Sequence, residues 1–359
     1  MSALGTGKSM KKFVLKFAAF AVIVVGFFLT VSIGIDPYNI FHYNYPRNNG
    51  IEANKNFIKT RYMIAEPGKF DSFLFGSSRA GFTDVEALPD GKYYNMCSSE
   101  ALPAEHVRLL KELIRHGIVP ENVTVMVDDI SCFVDPDGLH KTMLFRIPYP
   151  DDNISSWFAF YVKYCDILTT WQAYREVRDY VPTDQDYTDR YRRSGSERLD
   201  NDRPFQDESH VGYWADYYEL RVDAVMADIR ELKSICEQNG INLRIMTNPL
   251  YHLTYQRDIE NGYLDFLYAL AGEVDYWNFS SFSDITLNDN NYYETSHFRP
   301  SVSDKMMDTV YNGTQDDALW KQGFGVKVTK ENRDEFIYFL KYQAEERGVV
   351  LPASTVGAY

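Results

Sequence analysis

The pattern of apolar positions divides the chain into an unbroken block and a long alternating part. Residues 17–35 (FAAFAVIVVGFFLTVSIGI) carry no charge. At a helical rise of about 1.5 Å per residue they span roughly 28 Å, close to a hydrocarbon core, so a transmembrane helix is predicted. Residues 36–55, rich in Pro, Asn and Tyr, read as an irregular connection, and a helix is expected over 56–66. Beyond that, short apolar runs at 72–75, 93–96, 123–127, 243–246 and 274–279 have the length and composition of buried strands. Amphipathic stretches lie between them. In 103–116, Val107, Leu110, Leu113 and Ile114 share one helical face and Pro103 opens the helix; 217–239 and 254–272 are further helices. Strands separated by helices imply βαβ units around a parallel sheet, hence the α/β class.

Two stretches interrupt this rhythm. Residues 150–182 are aromatic-rich with a helical pattern, and 183–215 are polar and poor in aliphatics. Together they form an expected insertion, 150–215, between the third and fourth strands. Long segments of this kind are functional lids or mobile parts. The chain closes with a helix predicted over 331–347. The expected organisation is an N-terminal tail (1–16), an anchor (17–35), a connector (36–66), a domain (67–313) containing the insertion, and a C-terminal extension (314–359). No internal repeat is present.

Charge orients the anchor. Lys8, Lys11, Lys12 and Lys16 precede it and the first 35 residues contain no acid, which predicts a cytoplasmic N-terminus and an extracytoplasmic remainder. A cleaved signal peptide is the rival, but its apolar run is usually shorter and ends in a small-x-small site. The whole chain carries a net charge of −14. Such a surface repels phosphate backbones, so nucleic acid is not an expected partner. Cys97, Cys132, Cys165 and Cys236 form no CxxC pair, so a zinc site is not expected; two disulfides or free thiols both remain open. The 27 Tyr and 23 Phe serve either ordinary packing or a cleft in which rings stack on a ligand.

The candidate chemistry lies in two runs. In the first, an apolar strand ends in Gly76-Ser77-Ser78-Arg79. A serine at a strand's carboxyl end, before a helix, is exposed and close to free backbone N–H groups that can stabilise an oxyanion. Alone, such a serine is usually a helix cap. The second is Tyr292-Tyr-Glu-Thr-Ser-His-Phe-Arg-Pro300, where Glu294 and His297 have the spacing that puts both on one face of a helical turn. A carboxylate beside an imidazole fixes its tautomer and supports the imidazolium formed on proton abstraction. Among the other histidines, His252 follows a strand end and either lines the cleft or serves the structure, whereas His42, His106, His116, His140 and His210 have no ligand-like spacing; neither a metal motif nor a glycine-rich phosphate loop occurs, so no cofactor is expected.

A serine after the first strand together with an acid-x-x-His near the domain's end resembles the SGNH hydrolase superfamily. The anchor followed by Ile35-Asp-Pro-Tyr38, the GSSR and YYETSHFRP runs and Gly325-Val-Lys-Val-Thr-Lys-Glu-Asn332 are similar to its membrane-anchored bacterial members, among them the D-alanyl transfer protein of teichoic acid synthesis and exopolysaccharide O-acetyltransferases. The resemblance implies a flavodoxin-like three-layer sandwich with a central parallel sheet. It implies a Ser78–His297–Glu294 triad acting on acyl groups of a cell-surface glycan or teichoic-acid-like polymer, beside a multi-span membrane-bound O-acyltransferase. Oxyanion or substrate contacts would come from the Ser78 N–H, the Ser98–Ser99 loop, Arg79, Asp129 and Asn248. The chain has Glu294 where the family usually has Asp, no glycine in the 95–100 loop, and Asp128-Asp129 where an Asn is usual. These departures keep a non-catalytic binding or scaffold protein as the alternative.

Overall fold

The computed structural model describes residues 3–135, 143–165, 167–197, 201–208, 218–353 and 355. Its first helix, α1 (Ala3–Ile35), contains a segment, Met10–Ile35, long and apolar enough to cross a membrane. Only 6% of its most apolar window is buried, which separates it from the core helix of a soluble protein. The chain leaves α1 through a tight knot. The buried Asp36 carboxylate accepts the N–H groups of Ile40 (2.8 Å), Phe41 (2.8 Å) and His42 (2.9 Å). Arg47 donates to the Ile35 carbonyl at 2.7 Å, satisfying one of the groups that a helix end leaves free.

Helix α2 (Lys55–Ala65) starts on Asn54, whose side chain accepts the Phe57 N–H, and buries Phe57, Ile58 and Tyr62. It belongs to the main core, so the connector contributes an element to the domain rather than a tether. The sheet then forms from β1 (Ser72–Phe75), β2 (Tyr93–Asn95), β3 (Asn122–Val127), β4 (Asn242–Thr247), β5 (Tyr276–Asn278) and β6 (Val326–Val328), in the order β2-β1-β3-β4-β5-β6. The first five strands are parallel to their neighbours, and β6 runs antiparallel to β5. The sheet is therefore mixed, where a parallel one is expected. Strand β6 has three residues, with Val326 and Val328 buried and Lys327 outward. An edge strand this short, facing water on one side, carries too little pattern to be read from sequence.

The further α-helices are α3 (Pro103–Arg115), α4 (Ile154–Tyr164), α5 (Ile167–Asp179), α6 (Tyr187–Arg193), α7 (Val222–Asn239), α8 (His252–Glu260), α9 (Tyr263–Glu273), α10 (Pro300–Asn312), α11 (Asp317–Trp320) and α12 (Arg333–Glu346). Period-2 alternation sends Phe73, Phe75, Val123, Val125 and Val127 to one face, packed with α2, α3, α7, α9 and α12. Leu74, Met126 and Met246 face the other side, with α10 and the segment after β1. Helix α12 buries Phe336, Ile337 and Leu340 in the main core. The single helix expected over 254–272 is two, α8 and α9, because Gly262 takes a left-handed conformation (φ 97°) between them. Residue 217, the expected start of α7, lies outside the described residues, as do 198–200 and 209–215 of the insertion, His140 and His210. All four cysteines are free.

Candidate active site

The serine is placed by the end of β1. A Cβ at Gly76 would stand 2.6 Å from the Ala80 Cβ and 3.2 Å from the Met126 Cβ, so only glycine lets the chain turn this close to β3. Ser77 caps the following short helix, Ser78–Phe82, by accepting the Arg79 N–H at 3.3 Å. Ser78 therefore stands where strand order reverses, β2 on one side of β1 and β3 on the other. Beyond the carboxyl ends of strands, such a switch point is where open α/β sheets bind ligands.

The histidine comes from the loop before α10. A bridge between Tyr292 and Phe298 closes this loop, and the Tyr293 N–H donates to the His297 carbonyl at 2.9 Å. It is a bridged turn and not the helical turn that the Glu-x-x-His spacing suggests, yet both side chains project together. His297 Nε2 lies 2.7 Å from Ser78 Oγ, and His297 Nδ1 is hydrogen-bonded to Glu294 Oε1. The second Glu294 oxygen accepts from Arg203 at 3.0 Å. Burial pushes the Glu294 carboxyl up, but the His297 hydrogen bond and charge, helped by Arg203, outweigh it and hold the group below the ordinary carboxylate range. The residues thus form a continuous hydroxyl–imidazole–carboxylate relay with the acid ionised.

Arg79 lies beneath this relay rather than in the cleft. It is 5% exposed. Its guanidinium pairs with Asp128 and with Asp129 (2.9 Å), and donates to the Ser296 carbonyl (2.6 Å) and hydroxyl (3.2 Å). It therefore ties the serine turn to the end of β3 and to the residue before His297. Burial opposes its charge, and the two aspartates outweigh that and keep it protonated. Burial pushes Asp128 up against the pull of Arg79, while Arg79 holds Asp129 down. Donor atoms of Asp128, Asp129 and Cys132 come within 4.8 Å of one another, but Arg79 already supplies their cation.

The remaining expected contacts divide. Ser99 lines the cleft with Ser78, its hydroxyl bonded to Glu52. Ser78 and Ser99 both border the cleft where an oxyanion would form. Asn248 cannot reach it: fully buried, it donates to the Val127 carbonyl (3.2 Å) and Asp128 (3.1 Å). Asp129 is likewise engaged by Arg79, Ser131 and Cys132.

The triad opens into a cleft of about 770 Å³ whose far walls come from the connector and the insertion, including Glu52, Lys55, Tyr180, Tyr187 and Arg190. The insertion is stitched to the site. Its Ser194 carbonyl accepts the Asn95 N–H beside β2 (2.8 Å), and the Glu197 N–H donates to the Gly81 carbonyl (2.8 Å). Gln206 bonds the Tyr293 carbonyl (2.9 Å), and Arg299 reaches the carbonyls of Asn201 (2.9 Å) and Arg203 (2.6 Å). Lys59, buried, gathers the carbonyls of Asn95 (3.0 Å), Cys97 (2.9 Å) and Gly195 (2.9 Å). Arg203, Arg299 and Lys59 carry no local signature. Only Arg299, inside the YYETSHFRP run, was close to a visible motif.

No protein-family model matches the chain, and no curated protein matches it.

Proposed function

We propose that the chain is a membrane-anchored serine acyltransferase or esterase of SGNH type, acting outside the cytoplasm on acyl groups of a cell-surface polysaccharide or teichoic-acid-like polymer. The supporting observation is the Ser78 Oγ–His297 Nε2 contact of 2.7 Å, with Glu294 on the opposite ring nitrogen, across 219 residues of sequence. Three such groups meeting by accident in one cleft at a sheet switch point is a poor alternative.

The chemistry follows from the positions. Ser78 Oγ attacks the acyl carbonyl while His297 Nε2 takes its proton, and Glu294 stabilises the imidazolium. The oxyanion is met by the Ser78 and Ser99 N–H groups. His297 returns the proton to the departing alcohol or thiol, leaving an ester on Ser78. A sugar hydroxyl or water then loses its proton to His297, attacks the ester and releases the serine. A sugar acceptor makes the protein a transferase and water makes it an esterase. The family resemblance and the anchor favour transfer, with a multi-span membrane-bound O-acyltransferase as donor-side partner. The lysines before α1 support an N-terminus inside and the domain outside.

One observation favours a binding or scaffold reading. Asn248 is engaged below the site, and Asp128 and Asp129 stand where the family's oxyanion Asn would be. The test separates the two. Ser78→Ala and His297→Ala should each abolish turnover of a small acyl ester, and the double variant should be little worse than either, since the residues act as a unit. A serine-reactive phosphonate should label Ser78 only while His297 is present. If both variants leave cell-surface acylation intact while deletion of the protein removes it, the catalytic reading fails. A reporter active only outside the cytoplasm, fused after Tyr359, checks the orientation.

A further inference from the structure

Outside α1, exposed large hydrophobic side chains concentrate in one stretch of the chain. Of the thirteen among the described residues, six lie between 154 and 181: Ile154, Phe158, Val162, Trp171, Tyr174 and Val181. On α4, Ile154 (87% exposed), Phe158 and Val162 follow one another at four-residue intervals and form a single stripe. On α5, Trp171 (65% exposed) stacks on Tyr174 with ring centroids 5.8 Å apart. A soluble surface rarely gathers so much apolar area without a partner.

Its position relative to α1 identifies the partner. Thr170, next to Trp171, meets Ser32 in the last turns of α1 through their hydroxyls at 3.2 Å. The end of α4 is there too, since the Tyr164 ring packs against Tyr38 at 5.6 Å, three residues beyond α1. Length supplies the depth. The uncharged part of α1, residues 17–35, extends about 28 Å at about 1.5 Å each, close to a hydrocarbon core of about 30 Å, and Lys11, Lys12 and Lys16 put the helix's surplus length at its N-terminal end. Ile35 therefore reaches the outer edge of the core, and Ser32, where α5 touches the helix, lies within one turn of that edge, with Leu29 and Ile33 exposed nearby. The aromatic types on this face are those that favour the membrane–water boundary, and exposed Lys163 and Arg175 can reach headgroup phosphates.

We propose that α4 and α5 lie along the outer headgroup–acyl boundary of the bilayer that α1 crosses, as a second, monotopic membrane contact with Phe158 and Trp171 inserted. The proposal rests on α1 being embedded and is independent of the catalytic reading. It has a functional consequence. Helix α5 leads directly into Tyr180, Thr183 and Tyr187 of the cleft wall, so the cleft is held at a fixed, short height above the lipid surface. Membrane-attached substrates would reach it in preference to free ones.

The test uses the full chain reconstituted in phosphatidylcholine–phosphatidylglycerol vesicles doped with phospholipids brominated on their acyl chains, which quench tryptophan on contact. Brominated lipid should lower the wild-type emission, and Trp171→Phe should remove at least half of that drop. Phe158→Trp should add a new quenchable signal. Both sites are exposed, so unchanged thermal unfolding verifies that the variants are folded. Equal quenching in wild type and Trp171→Phe, with the Trp171 share of the emission accessible to aqueous acrylamide, would overturn the proposal. So would failure of the protein to float with the vesicles, which removes its premise. A photocrosslinker at position 158 that captures one protein in cell membranes, without lipid quenching, would make the face a protein-docking surface instead.

Discussion

Beneath the candidate cleft, on the sheet, and at its insertion wall an arginine meets acidic groups, and the surroundings make the two unequal. On the sheet side Arg79 is 5% exposed and faces Asp128 and Asp129, themselves buried. On the insertion side the Arg203 side chain is 48% exposed and pairs with Glu294. Water screens the second pair and is excluded from the first. Removing one partner of a buried pair strands a charge, whereas losing an exposed partner mostly frees a side chain. The sheet side therefore sets whether the site exists, and the insertion side adjusts how it works.

The largest expected effect is on Arg79. Arg79→Met should lower stability by about 3–5 kcal/mol at pH 7, because two buried carboxylates lose their cation. The loss should shrink on acidification as the carboxylates take up protons, and urea unfolding at pH 7 and pH 4.5 would measure both. A change below about 1 kcal/mol would erase the contrast between the two sides.

Next comes Glu294 itself, which His297 and Arg203 both touch. Glu294→Gln keeps its shape and removes the charge that supports the imidazolium. Turnover of a small acyl ester should fall by about 10²-fold or more, equivalent to about 2.7 kcal/mol, with little change in the melting temperature. Unchanged turnover would show that the carboxylate does not assist His297.

How much of this was legible in the chain follows the same division. The strand runs, the amphipathic helices and the apolar block of α1 could be read because their patterns are local and periodic. So could Ser78, Glu294 and His297, which sit in short runs of distinctive composition. Arg79 was visible as a neighbour of the serine but was expected to face substrate. Only the fold shows that the chain turns it inward, towards a pair of aspartates 50 residues away. Asn248 was misplaced for the same reason, since its position at a strand end does not say which way the amide points. Arg203 and Lys59 could not be found at all, because their partners are carbonyls and a carboxylate supplied by distant loops. The split at Gly262 and the antiparallel β6 were missed because one glycine and three residues leave almost no periodicity.

Burial without a compensating charge gives a third case that sharpens the comparison. His106 on α3 is 2% exposed, its ring 5.4 Å from that of Phe75. Burial and then the Arg146 charge push its imidazole down to about 3, from an ordinary value of 6.5. The folded state therefore resists protonation, while the unfolded chain binds the proton below pH 6.5. Stability should fall as pH drops from 6.5 toward 3, by up to about 1.4 kcal/mol per pH unit from this group. Between pH 7.5 and 5 that amounts to about 2 kcal/mol, and His106→Gln should remove it. Parallel urea titrations of the two proteins that keep the same spacing at both pH values would contradict this reading.

The smallest effect is expected at Arg203. Its guanidinium is half in water, so Arg203→Gln should change stability by no more than about 1 kcal/mol. Its influence should appear in the pH profile. Burial raises the Glu294 carboxyl, and His297 and then Arg203 pull it back below 4.5. A folded-state pKa lowered in this way contributes stability that is present above about pH 4.5 and lost as pH falls through the depressed value. The charged Glu294 is also the form that supports His297. Without Arg203 the carboxyl rises, so the stability that the ionised Glu294 contributes should begin to be lost at a higher pH than in the wild type, read by urea unfolding across the acid range, while the rate of ester turnover near neutrality changes little. Raising the salt concentration should move the wild-type profile the same way, since screening weakens an exposed pair. An acid limb that does not move in Arg203→Gln would mean that the insertion closes the cleft without tuning the triad, and the division between the two sides would then be one of shape alone.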